Sequence, residues 1–360
     1  MVSIVHCADL HLASAQSDAY TAFCNIITYT NRLQADLLLI AGDLYDSVFA
    51  PSPLIKAVQE QLARCSAKVF ICGGNHDYLA AHAPLCKEGY PGNVTIAASG
   101  KMQSYPIKEL SCTVHSCSFD APHIKTSPLA GFHAPKDGRI HIGLLHTQVT
   151  SSDSVYAPIS PKEIADSALH YLALGHKHTD ETIQNCGNTV ARYSGTPQPR
   201  RFDENGAIWY LVLDQNGILK QQRISAAVTL YQNVAVSVDG VSDNIQAAKR
   251  ITDTLAEYDL SNSRFCVSLT GETQNAYRPE TNEILRLIGG DYPELRLVDQ
   301  SIPGCDQNDP SCRYSLQGNF LSRMEELLAN AKTEQEKEQI LLARRYGLQA
   351  FYGEVKIDAD

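Results

Sequence analysis

Long hydrophobic runs are missing from this 360-residue chain: no stretch of about 18 apolar residues occurs, so no membrane-spanning helix is expected. The start lacks a basic segment ahead of an apolar one. It goes directly into strand-like sequence carrying His6 and Asp9, so no secretory leader is expected and the chain reads as cytoplasmic. Among its 11 cysteines there is no Cys-x-x-Cys pair. Their odd number and scattered positions, with Cys7, Cys72 and Cys266 inside strand-like runs, exclude a disulfide framework or zinc ribbon and suit reduced, mostly buried residues. Cys305 and Cys312, in a loop-like stretch, would pair only if oxidised. Internal repeats and low-complexity segments are absent too. So is a basic balance, since the formal net charge is −10. That acidity is uneven: residues 1–225 hold 17 Lys and Arg against 19 Asp and Glu, and residues 226–360 hold 13 against 21. Two bound divalent cations would make the first part net positive. Local field, not overall charge, governs attraction of a polyanion, so the composition neither demands nor forbids a nucleic-acid partner.

What is present is an ordered series of short polar clusters, each at the end of an apolar run. They are Asp9-Leu10-His11, Gly42-Asp43, Gly74-Asn75-His76-Asp77, His146 in LLHT, and Gly175-His176-Lys177-His178. Singly, each has an ordinary structural explanation. Gly-Asp after a strand is commonly a turn, and a histidine at a strand end is commonly a satisfied polar residue. Together their candidate ligands number two carboxylates, one amide oxygen and four imidazoles in a fixed order, with His76 and Asp77 beside them. Hard oxygen combined with borderline nitrogen suits a pair of Mn, Fe or Zn ions better than Ca or Mg. Two close divalent ions are a common means of attacking a phosphate ester. The expected activity is that of a dinuclear metallophosphoesterase.

The runs before the clusters, VSIVHCA, ADLLLIA and KVFICG, read as buried strands. Between them lie two helical patterns. One spans about Ser17–Gln34, with Tyr20, Phe23, Ile27 and Leu33 on one face. The other spans about Pro53–Ala67, with Ser52 as expected N-cap. Strand–helix alternation implies a parallel sheet, whose ligands gather beyond the carboxyl ends of its strands. Residues 78–140 resist assignment. RIHIGLLHT, LHYLALGH, TVARYSG and AIWYLVLD then read as further strands, so the expected fold of residues 1–225 is α/β, a two-sheet sandwich flanked by helices. Residues 228–303 read as a small βαβαβ capping module without a Gly-rich phosphate loop. Residues 304–360 read as a linker and C-terminal helices, which either pack on their own domain or bind a partner.

The ordered set D-x-H, G-D, G-N-H-D, H and G-H-x-H resembles the calcineurin-like metallophosphoesterase superfamily. HCADLHL, AGDLYD, GGNHD and ALGHKH followed by YSGTPQP is similar to the SbcD-type DNA repair nucleases, over about residues 6–200. The resemblance implies two Mn²⁺ ions (with Fe²⁺ or Zn²⁺ as alternatives), cleavage of DNA phosphodiesters as an exonuclease with endonuclease activity as the alternative, and a coiled-coil ATPase partner of the SbcC type, bound through the C-terminal helices. It assigns Asp9, His11 and His178 to one ion and Asn75, His146 and His176 to the other, with Asp43 bridging. His76 would stabilise the transition state or protonate the leaving oxygen, and Asp77 would either orient that ring or cap the loop. Some members carry a second active-site histidine where this chain has Asp46. Lys177, Arg200 and Arg201 are candidate contacts to backbone phosphate, with Arg192 further off, although a solvated surface explains any one of them. A homodimer would suit the handling of two strands or ends. The competing expectations are a phosphoesterase for small substrates such as cyclic nucleotides or phosphomonoesters, and a non-catalytic scaffold for the ATPase.

Overall fold

The computed structural model describes residues 1–150, 152–274, 277–290, 292–304 and 314–351. Cys305, Cys312 and residues 352–360 of the expected tail lie outside them. The chain divides into two compact units, Met1–Tyr231 and a second that begins at Gln232, so residues 228–231 of the expected module fall in the first and the rest of it, with the described part of the tail, in the second.

In the first unit, strand β1 (Val2–Cys7), helix α1 (Asp18–Arg32), β2 (Leu37–Ala41), α2 (Ser52–Leu62) and β3 (Lys68–Cys72) alternate as the apolar runs imply. The run LLLIA is buried at every position, because helices cover one face of its sheet and a second sheet covers the other. Helix α1 is capped by Ser17, whose side chain accepts from the Tyr20 N–H, and it buries Phe23, Ile26 and Ile27. Helix α2 departs from expectation. Ser52 is its first residue, Pro51 stands at the N-cap, and the helix ends at Leu62. Proline fixes the extended backbone that precedes a helix, so Pro51 sets the start without a side-chain cap bond.

The unassigned region contributes β4 (Val94–Ile96), β5 (Gln103–Ile107) and β6 (Cys112–Ser116). Then follow β7 (Ile140–His146), the short α3 (Pro161–Asp166), β8 (Tyr171–Gly175), β9 (Asp180–Thr182), β10 (Val190–Ser194), β11 (Ile208–Asp214) and β12 (Gly217–Ile224). One six-stranded sheet has the order β12-β11-β1-β2-β3-β4 and the other β5-β6-β7-β8-β10-β9. The chain thus returns to its first sheet, with β11 antiparallel to β1. Ile4, Leu37, Leu39 and Phe70 from the first sheet meet Val114, Ile142, Leu144 and Tyr171 from the second in one buried core. This is the expected two-sheet sandwich. Its parallel strands β1, β2 and β3, and β6, β7, β8 and β10, run from opposite layers toward the site.

The second unit holds β13 (Leu230–Ser237, whose first residues precede the division), α4 (Asn244–Leu255), β14 (Ser263–Thr270), β15 (Glu272–Thr273), α5 (Thr281–Ile288), β16 (Leu295–Asp299) and β17 (Ile302–Pro303). Helices α6 (Leu316–Asn330) and α7 (Glu334–Phe351) form a hairpin in which Phe320 meets Phe351 with ring centroids 5.6 Å apart. Arg344 pairs with Glu272, and Leu321 and Leu348 are buried, so the hairpin packs on its own unit.

Candidate metal centre

Each candidate ligand sits just past a strand: Asp9 and His11 after β1, Asp43 after β2, Asn75 and His76 after β3, His146 at the end of β7, and His176 and His178 after β8. The structure brings all seven expected ligands together. His11 Nε2 and His178 Nε2 stand 3.0 Å apart. His146 Nε2 lies 3.0 Å from Asn75 Oδ1 and 3.4 Å from Asp43 Oδ2, and His176 Nδ1 lies 3.2 Å from the same Asn75 oxygen. Donor atoms of Asp9, His11 and His178 lie within 4.8 Å of one another, as do those of Asp9, Asp43 and His146, and those of His11, Asp43 and His76.

The backbone bends hard to achieve this. Asp9, His11, Asp43 and His176 all have positive φ, at 52°, 47°, 49° and 106°. Non-glycine residues pay conformational energy there, and such strain collects where the surrounding fold over-determines a functional geometry. Two glycines clear the space. A Cβ on Gly42 would lie 2.3 Å from His146 Nδ1, and one on Gly74 would lie 2.2 Å from Asp43 Oδ1.

The donor set fits divalent cations on its own chemistry. His146 Nδ1 donates to the Ala41 carbonyl at 3.0 Å, which leaves Nε2 with a lone pair aimed at two oxygen acceptors. His178 Nδ1 donates to Glu204 Oε1 at 3.0 Å, so its Nε2 lone pair faces His11. Lone pairs converge where only a proton or a metal ion can satisfy them. Burial pushes the Asp9 carboxyl well above its ordinary range, and the neighbouring Asp43 charge adds to this. Burial also acts to raise Asp43, but His146, His11 and His76 outweigh it and hold that carboxyl low. His176 is brought down to about 3 by burial and by His146, so both His176 and His146, lowered in the same way, are neutral and ready to ligate.

Residues 2–180 match the pattern of the calcineurin-like phosphoesterases. The first unit belongs to that family. The chain is 25% identical over 293 residues to an "uncharacterized metallophosphoesterase", YhaO of Bacillus subtilis (strain 168), covering 74% of this chain and 71% of the relative. It is 22% identical over 306 residues to the "DNA double-strand break repair protein Mre11" of Sulfurisphaera tokodaii, covering 78% of this chain and 77% of that one. A Thermus thermophilus protein, TT1561, overlays with a TM-score of 0.40 at 12% identity, over 62% of this chain and 98% of its own.

Around the phosphoesterase centre, Glu204 carries no sequence signal of its own, while Asp46 and Thr196 were marked by the family resemblance without their contacts. Asp46 Oδ1 lies 3.2 Å from His11 Nδ1 and 3.6 Å from Arg200 Nη1. Glu204, 4% exposed, holds His178. Thr196 Oγ1 donates to the Asp9 carbonyl at 2.8 Å, which is the structural use of the Gly195-Thr196-Pro197 segment. The reading of Asp77 as the partner of the His76 ring is corrected. The ring's Nδ1 donates to the Asp46 carbonyl at 3.1 Å, while the buried Asp77 carboxylate accepts the N–H groups of Gly74 at 2.7 Å and Tyr45 at 3.1 Å. Asp77 is the loop cap, because two peptide N–H groups left by the turn have no other acceptor. Burial, with the Asp43 charge, pushes its carboxyl up to about 7.

The basic residues separate. Arg192 is buried with its guanidinium 3.5 Å from the centre of the Trp209 ring, which removes it from any substrate surface. Lys177 pairs with Glu181, and Arg201 with Asp203 and Glu204. Arg200 reaches back to Asp46 beside the centre. No helix among the described residues is long and apolar enough to cross a membrane.

Proposed function

We propose that this phosphoesterase cleaves phosphodiester bonds of DNA with two Mn²⁺ ions, which Asp9, His11, Asp43, Asn75, His146, His176 and His178 would hold. The single observation that carries it is the convergence of imidazole and carboxylate donor atoms from both sheets on one point. When bound, the ions supply Lewis acidity toward the phosphate and lower the pKa of a water nucleophile. The likeness to a protein named for double-strand break repair supports DNA as the polymer.

The chain's own residues divide the remaining work. His76 is exposed, whereas the ligands around it are buried or half-buried, and its N–H is fixed by the Asp46 carbonyl, which leaves Nε2 free to carry a proton to the leaving oxygen. His76 stands at right angles to His11 with ring centroids 4.7 Å apart, so it is positioned with the ligands without being buried among them. Arg200, beside Asp46, and Lys177 and Arg201 at the rim are offered to backbone phosphates. Ion pairing at an exposed surface is worth too little to keep them from that role.

The test is hydrolysis with added Mn²⁺ of a labelled DNA duplex, single strands, cyclic nucleotides and bis(p-nitrophenyl) phosphate, with metal content measured alongside. Asp43→Ala should lose both ions and all hydrolysis. His76→Ala should keep its metal while turnover falls roughly 10²- to 10⁴-fold. Loss of metal in His76→Ala would make it a ligand. Turnover of small diesters alone would move the assignment to a small-substrate phosphoesterase.

A further inference from the structure

Part of the region that sequence left unassigned encloses a cavity of about 370 Å³ that shares His146 as a wall with the metal centre. Its other walls include Phe119, Phe132, Met102, Thr126 and Ala130. Phe119 stands edge-on to His146 with ring centroids 5.6 Å apart. Phe132 is steadied from behind by His115, 5.1 Å away. The cavity is tied to the turn that carries Asn75 and His76. The Phe119 N–H donates to the Gly73 carbonyl at 3.0 Å, and the Gly73 N–H donates to Ser118 Oγ at 2.7 Å. The distance between cavity and centre is therefore set by hydrogen bonds, not by a free loop.

An occupant that also places a phosphate at the centre must be a group attached to that phosphate. The volume lies at the small end of ligand sites, enough for one heterocycle with its sugar and far too little for a duplex. Two phenyl rings and a thioether favour a flat π-surface, and a hydroxyl such as that of Thr126 suits the hydrogen-bonding edge of a base. We propose that this cavity seats the single nucleobase joined to the scissile phosphate. The enzyme then acts on a nucleotide that has left its stack, an exchange that is easiest at a frayed or unpaired end. This rests on the phosphoester-cleaving reading of the centre.

The experiment compares binding of deoxyadenosine monophosphate and deoxyribose 5-phosphate to the Mn²⁺-loaded full chain by calorimetry, in parallel with oligonucleotide hydrolysis. The base should improve affinity on the order of tenfold. Ala130→Phe, which fills the cavity, and Phe132→Ala, which removes a wall, should bring the two affinities together, while Phe132→Tyr should keep the difference. Equal binding of the two phosphates by the unaltered protein, or an unchanged ratio in Ala130→Phe, would overturn the seat. A clear preference for the nucleotide without any oligonucleotide cleavage would instead overturn the nuclease reading and leave the seat standing. Failure to bind either phosphate would remove both.

Discussion

The centre is built from residues whose lone pairs have nowhere else to go. Asp9, Asp43, Asn75 and the four ligand histidines were legible in sequence because they recur in compact clusters at strand ends. Glu204 was not, and the position of Asp46 was marked without its partner, because each finds its histidine across a distance in sequence that only folding closes. Glu204 shows how strongly it is engaged: burial acts to raise its carboxyl, but hydrogen bonds from His178 and the Arg200 N–H bring it down to about 2. Glu204→Ala should weaken metal binding roughly 10- to 100-fold while the fold persists, as calorimetric titration with Mn²⁺ would show. Unchanged affinity would mean the carboxylate is not needed to orient His178. Away from the centre, His115 is linked to Ser104 and to His141, each at 2.9 Å, and burial followed by the His141 charge brings it from 6.5 down to about 4. Between those values the unfolded chain binds more protons than the folded one, so stability falls as the pH drops from about 6.5 to 4. The loss at this site is on the order of 2–3 kcal/mol. His115→Asn should show a shallower acid decline in denaturant midpoints recorded with chelator present, and an identical decline would place the effect elsewhere.

At the level of elements, the turns after the strands decide whether ligands meet. The sequence marked the strands by their apolar runs and the turns by their glycines, but the required closeness is visible only in three dimensions. At Gly74 the turn passes so near Asp43 that a single methyl group would collide with the carboxylate. Gly74→Ala should retain the secondary structure by circular dichroism yet reduce hydrolysis roughly 100-fold, since a displacement near 1 Å is enough for that. Full activity would show that the turn adapts. The start of α2 was misplaced by one residue for a related reason: both Pro51 and Ser52 favour a helix start, and packing of Leu54, Ile55 and Val58 against the first sheet selects between them.

For the molecule as a whole, the C-terminal hairpin tucks Leu321 and Leu348 against its own unit yet leaves Leu341 and Leu342 half exposed, at 51% and 47%. It is the surface on which to test the coiled-coil ATPase partner that the sequence resemblance leads one to expect. The double change Leu341→Asp and Leu342→Asp should leave hydrolysis of bis(p-nitrophenyl) phosphate intact and abolish co-purification with an SbcC-type ATPase; retained association would locate the contact elsewhere. The sequence alone determined the strand-ended clusters, the α/β class and the chemistry of the donors, because residue type and short-range spacing carry that information. Only tertiary structure decided that β11 and β12 return to the first sheet, that Asp77 caps a turn while the Asp46 carbonyl holds His76, and that a cavity opens beside His146. The return of β11 and the hold of Asp46 on His76 depend on contacts between segments 30 to more than 200 residues apart, and such contacts are chosen by the packing of two sheets on a shared core, which no local pattern records.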